Sequence, residues 1–238
     1  MKSRPILFID EMVRATRDGR KTQTRRPVTL REFQPSRTRG CDFTFRRRDG
    51  VWEDVSLQDM LNPPRSNYPG QCPYGVPGDE LWVREASAWC DAAVPPTRYR
   101  ADTGGTARDA FAGHECVCLP AQRWTPSIHM PRSASRTTLR VTGVRIERVQ
   151  DITEADAIAE GARRFDDIPA VRPTADARWS MGEPKDTGDC LGTARFAFGN
   201  VWDRVYARRG LGWSANPWVW VVSFERIAAP APYAEMDR

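Results

Sequence analysis

No run of 18 or more apolar residues occurs in the chain, so the sequence offers no membrane-spanning helix. The N-terminal MKSRPILFIDEM holds an apolar stretch of only four to five residues before an acidic pair, too short for a signal peptide. The expectation is a cytoplasmic protein. Cysteine is sparse: six residues, at 41, 72, 90, 116, 118 and 190, read as reduced thiols in a chain long enough to bury a core without staples. Only HECVC, with His114, Cys116 and Cys118, groups metal-type ligands, and it lacks the second pair that zinc spacing requires. Zinc and ordinary loop thiols both stay open there. GxGxxG, Walker, HExxH and GxSxG motifs are all missing, which removes the common nucleotide-fold, zinc-protease and serine-hydrolase readings.

What is present is positive charge, unevenly placed. The 238 residues carry a net +5, yet residues 1–50 hold 14 Lys+Arg against 6 Asp+Glu, a balance of +8. A basic N-terminal fifth points to a phosphate-bearing or polyanionic ligand, or to a solvated basic face. Its densest stretch is DGRKTQTRRP, residues 18–27, where Arg20, Lys21, Arg25 and Arg26 surround Thr22 and Thr24.

Along the chain, PILF (5–8) reads as a short buried strand. Ile9, Met12, Val13 and Thr16 then fall on one helical face, with Asp10 able to cap the start and Gly19 the end. The basic stretch follows at once, as a loop whose first cations suit a helix C-terminus. FRRRDGVW predicts a hairpin turning at Asp49-Gly50. A strand is predicted at 80–84, where Leu81 and Val83 alternate with Trp82 and Arg84, and a longer one at 137–149 with a bulge or bend at Gly143. QDITEADAIAEGARR predicts a helix capped by Thr153 in a capping box with Asp156, with Ile152 as a staple and Ala155, Ile158, Ala159 and Ala162 as its inner face. A helix ending at Gly210 and a closing strand at 216–227 complete the pattern.

Several short strands and three helices predict an α+β fold: a small, mostly antiparallel β-barrel with flanking helices. It forms a single domain over 1–228, with irregular insertions at about 27–75, 86–135 and 163–193 and a frayed tail at 229–238.

The order of GRKTQTRR, PGDELWVRE, DITEADAIAEG and WVWVVSFER resembles the ASCH family, small β-barrels related to the PUA RNA-binding fold. In motif order the loop is most similar to that of the bacterial N4-acetylcytidine amidohydrolase. The CPYGVPGD, SIHMPR and NPWVWV segments are similar to the larger ASCH proteins of phages and prophages, which would make the compartment a host cytoplasm. About half of the chain carries the resemblance. It implies a PUA-like barrel with a catalytic lysine at Lys21, a threonine at Thr24 and a glutamate at Glu160, with Arg26 closing the loop. No metal or other cofactor is implied.

That chemistry is coherent on general grounds. Amide hydrolysis needs an activated nucleophile, a proton donor for the leaving nitrogen and cationic groups facing the oxyanion. A lysine at its ordinary pKa of about 10.4 is no base, but burial beside Arg20, Arg25 and Arg26 would lower it. Lys21 would then activate Thr24 or a water, and Glu160 would supply the proton.

Further candidates for binding substrate are Arg20, Arg84 and Glu85 at the end of the 80–84 strand, and Trp82 or Trp89 as a base-stacking face. Ser127, His129 and Arg132 of TPSIHMPR form a polar set bracketed by prolines. The expected partner is a modified nucleoside or a nucleic acid, and oligomeric state is not readable. The leading expectation is a hydrolase cleaving an N4-acylated cytidine. The alternatives are a non-enzymatic RNA- or DNA-binding module, a metal-independent ribonuclease, and a phage accessory protein that has lost turnover.

Overall fold

The computed structural model describes residues 1–28, 33–35, 43–46, 52–55, 72–90, 97–107, 109–111, 123–168 and 178–227. The strands are β1 (Ser3–Leu7), β2 (Gln23–Pro27), β3 (Phe33–Pro35), β4 (Phe43–Arg46), β5 (Trp52–Val55), β6 (Glu80–Arg84), β7 (Ser87–Trp89), β8 (Thr97–Tyr99), β9 (Thr138–Arg148), β10 (Arg163–Arg164), β11 (Trp179–Ser180) and β12 (Trp218–Ile227). The helices are α1 (Asp10–Arg17), α2 (Arg100–Thr103), α3 (Glu154–Ala159) and α4 (Ala194–Tyr206).

The fold is α+β, organised by a five-stranded sheet in the order β1-β6-β9-β12-β2. β1 runs parallel to β6 and the other three pairings are antiparallel. The sheet is not a closed barrel: β1 and β2 stand at opposite ends of the strand order. Among the described residues one side chain spans the gap, Arg26 donating from Nη2 to the Leu7 carbonyl at 2.6 Å. One guanidinium stands where a barrel would run a ladder.

β12 explains the apolar run WVWVV. It lies between β9 and β2, and Val219, Trp220, Val221 and Val222 are all at most 3% exposed, so both faces are covered. The expected bulge is present: Ser223 pairs with Gly143, and Phe224 then skips to Val141. On β6, Leu81 and Val83 point inward and alternate with Trp82 and Arg84 as the sequence predicts.

The insertions are more regular than expected. The first holds the antiparallel sheet β3-β4-β5, the second the β7-β8 hairpin and α2, and the third the β10-β11 pair. These strands run only two to four residues, too short for an apolar period to show. The β4-β5 hairpin pairs Arg46 with Trp52; its turn at Asp49-Gly50, the HECVC cluster and the 229–238 tail lie outside the described residues. Among the described residues no helix is long and apolar enough to cross a membrane.

Candidate active site

Two helix ends build the site by meeting. α1 buries Met12, Val13 and Thr16 as its periodicity predicts, but its N-cap is Ile9, and Asp10 instead pairs with Arg100 at 2.6 Å. At the other end Gly19 adopts φ +76°, and the Arg20 and Lys21 amides both donate to the Ala15 carbonyl at 2.9 Å. The chain then becomes β2, a strand where the sequence suggests only a loop.

α3 starts as expected, Thr153 accepting from the Asp156 amide at 3.1 Å. The Asp156 carboxylate turns away from the cap to Arg145 and Arg25. The inner face differs too. Ala157 and Glu160 are buried, whereas Ile158 is 44% exposed, because the helix is only six residues long and presents its end to the core. That end is knitted to the basic stretch: Thr22 N–H donates to the Ala159 carbonyl at 2.8 Å, Lys21 Nζ to the Glu160 carbonyl at 3.0 Å and Arg20 Nη1 to the Gly161 carbonyl at 3.0 Å. The cations thus serve the C-terminus of α3 as well as that of α1.

Gly161 makes the approach possible. Its φ is +111°, and a Cβ there would lie 2.9 Å from Ala15 Cβ. Gly161→Ala should cost about 1–3 kcal/mol in a denaturant titration and displace Glu160 from Lys21. Wild-type stability in that variant would mean the two helix ends are not held this tightly.

Lys21 and Glu160 form a buried pair, 3% and 2% exposed, with Nζ 2.5 Å from Oε2. Burial is the largest influence on the ammonium and pushes it from its ordinary 10.5 down to about 8. Glu160 holds it up, and Arg26 and Arg25 push it further down.

Arg25, 1% exposed, stands on the other side of Glu160. Its Nη1 lies 3.3 Å from Glu160 Oε1, and its Nη2 lies 2.6 Å from Glu147 Oε1 and 3.2 Å from Asp156 Oδ2. Arg145 reaches Glu147 and Asp156, each at 3.0 Å. Lys21, Arg25 and Arg145 therefore balance Glu160, Glu147 and Asp156 in one alternating network. Linear reading shows no such carboxylate cluster, since the acids come from β9 and from two turns of α3.

A cavity of about 360 Å³ opens over this pair. Lys21, Arg25, Arg26, Glu160 and Ser127 line it with Phe8, Tyr74, Phe198, Trp202 and Tyr206, and Arg209 reaches it from the turn after α4. Of the residues singled out in the sequence, this cavity gathers Lys21, Glu160, Arg26 and Ser127.

The others sit elsewhere. Thr24 is fully buried and does not line the cavity; its hydroxyl accepts from Arg26 Nη1 at 2.9 Å. Arg20 is tied to Gly161 and Asp18. Arg84 donates to the Met130 carbonyl and stacks on Trp82. Glu85 takes a two-pronged ion pair from Arg136, both contacts at 2.8 Å, which also grips Asp102. His129 and Arg132 are exposed, as is Trp89, and none lines the cavity.

The aromatic wall is what sequence reading misses. Trp202 and Tyr206 lie on one face of α4, their rings 4.4 Å apart, and that i, i+4 spacing was available as a signal.

No protein-family model matches the chain, and neither a curated protein nor a solved structure matches it.

Proposed function

We propose that this protein is a hydrolase of a modified nucleobase or nucleoside, cleaving the amide of an N4-acylated cytidine, on a fold akin to the PUA-like ASCH domains its motifs resemble. The observation that carries the reading is the Lys21–Glu160 pair: a buried lysine lowered to about 8, touching a carboxylate, on the wall of an aromatic-lined cavity. Strongly shifted groups in clefts mark acid–base sites. At about 360 Å³ the cavity falls at the small end of the range for small-molecule pockets, which favours a single nucleoside over a folded polymer. Its rings provide faces on which a base can stack.

The neutral Lys21 amine takes a proton from water, and the hydroxide adds to the acyl carbon with the ammonium so formed facing the oxyanion. The proton then passes across the 2.5 Å contact to Glu160 and on to the departing nitrogen as the C–N bond breaks. The products are a carboxylic acid and the free exocyclic amine. Thr24, closed off from the cavity, holds Arg26 in place and is not the nucleophile.

The test is incubation with N4-acetylcytidine and chromatographic detection of cytidine across pH 6–10. Because the neutral amine is the active form, kcat/KM should rise about tenfold per pH unit below 8 and level off above it. Tight, salt-sensitive oligonucleotide binding with no turnover at any pH would replace the hydrolase with a binding module.

A further inference from the structure

The charges around the cavity do not all cancel. Lys21, Arg25 and Arg145 are matched by Glu160, Glu147 and Asp156, and Glu160 is the only carboxylate on the cavity wall among the described residues. Two cavity cations stand outside this balance. Among the described residues Arg26 bonds only to neutral oxygens, those of Thr24, Arg25 and Leu7. The Arg209 side chain makes no hydrogen bond or ion pair among the described residues. Tyr74 and Tyr206 line the same cavity, and neither hydroxyl has a hydrogen-bond partner among the described residues.

We propose that the ligand of this cavity carries a phosphate monoester: the substrate is a nucleotide, its phosphate held by Arg26 and Arg209 with the Tyr74 and Tyr206 hydroxyls beside them. The substrate's base is taken from the hydrolase reading above; the phosphate seat rests on the cavity's charge alone. A monophosphate carries about −1.5 to −2 at neutral pH, matching the two uncompensated guanidiniums. Guanidiniums pair with phosphate through two parallel N–H donors, and tyrosine hydroxyls add neutral ones.

Arg26, Tyr74, Tyr206 and Arg209 all line the one cavity. Burial raises the Tyr74 phenol, Arg26 pulls it down and Tyr206 pushes it up again, so those three share one electrostatic neighbourhood. Arg209 is held at the rim by its backbone: Gly210, at φ +71°, donates to the Ala207 carbonyl, and Leu211 N–H donates to the Tyr206 carbonyl. An arginine after a helix end is ordinary, and that account suffices for Arg208, which does not line the cavity. It does not explain why Arg209 reaches the wall with no acid paired to it among the described residues.

The test is calorimetric titration of the full chain with cytidine, cytidine 5′-monophosphate and inorganic phosphate, in wild type and Arg209→Gln. The monophosphate should bind at least about tenfold more tightly than cytidine, with the advantage lost in Arg209→Gln and reduced by added salt. Equal affinity for the two ligands, or an advantage that survives Arg209→Gln, overturns the phosphate seat and leaves the hydrolase reading untouched. Arg209-dependent binding of inorganic phosphate without binding of either cytidine compound upholds the seat and removes cytidine as the base. A dinucleotide binding more tightly than the monophosphate, again through Arg209, overturns the monoester in favour of an internucleotide phosphate.

Discussion

Arg25→Leu should lower unfolding free energy by about 3–5 kcal/mol, the cost of leaving buried charges without their partner. The arginine is 1% exposed and is the junction of the network, in contact with Glu147, Asp156 and Glu160. Without it three carboxylates share Arg145 and Lys21, and one negative charge stays buried and unmatched. Leucine cannot take over the role, because the opposing groups are anions rather than apolar surface. Urea unfolding with an unchanged slope measures the effect. Arg140→Ala is the contrast: Arg140 and its partner Glu225 are 47% and 55% exposed, so that loss should stay below about 1 kcal/mol. A small effect at both positions would mean that packing of β12, not the ion network, holds β2 in place.

Under the proposed mechanism Lys21→Met should reduce hydrolysis of N4-acetylcytidine by about 10²–10⁴, the usual worth of a positioned base. Methionine keeps the length and apolar stem while removing the amine. The variant loses one cation of the network just as Arg25→Leu does, so its stability should fall comparably and its rate is read well below its own unfolding transition. KM should change little and the rise of rate toward pH 8 should vanish. Lys21→Arg separates charge from basicity: a guanidinium keeps the positive charge but does not deprotonate at these pH values. If Lys21 is the base, arginine rescues nothing. Recovery of turnover in Lys21→Arg would show that only its charge is used.

Elements with an apolar period were legible. Met12, Val13 and Thr16 of α1, the Leu81–Val83 alternation of β6 and the irregularity at Gly143 all lie where the residue pattern puts them; α4 itself stops at Tyr206, and the left-handed Gly210 closes the 3-10 turn after it. β2 was not legible, because QTRRP has no apolar face and its strand character comes entirely from pairing with β12. The same blindness hid Arg25. Side-chain type suggests an exposed cation, and only acids 122 and 135 residues further on make it a buried one. Lys21 and Glu160 were legible only through the motif resemblance, since charge and helical position alone left Glu160 equally suited to solvent. The closed barrel failed for another reason: strand count does not say whether two edges pair, and here a side chain occupies the gap.

The pairing of β2 with β12 also sets an order of events during synthesis. The basic segment leaves the ribosome early, yet Glu160 follows 135 residues after Arg25, and Arg226 of β12, which donates to the Arg17 carbonyl, lies 209 residues beyond it. Contacts so far apart along the chain form late, because a long loop must close before they stabilise anything. Until residues 147–160 are made, Arg25 has none of the carboxylates that it meets in the folded protein. A nascent chain halted before β12 lacks the strand on which β2 pairs, so β2 joins the sheet only when the last strand is made.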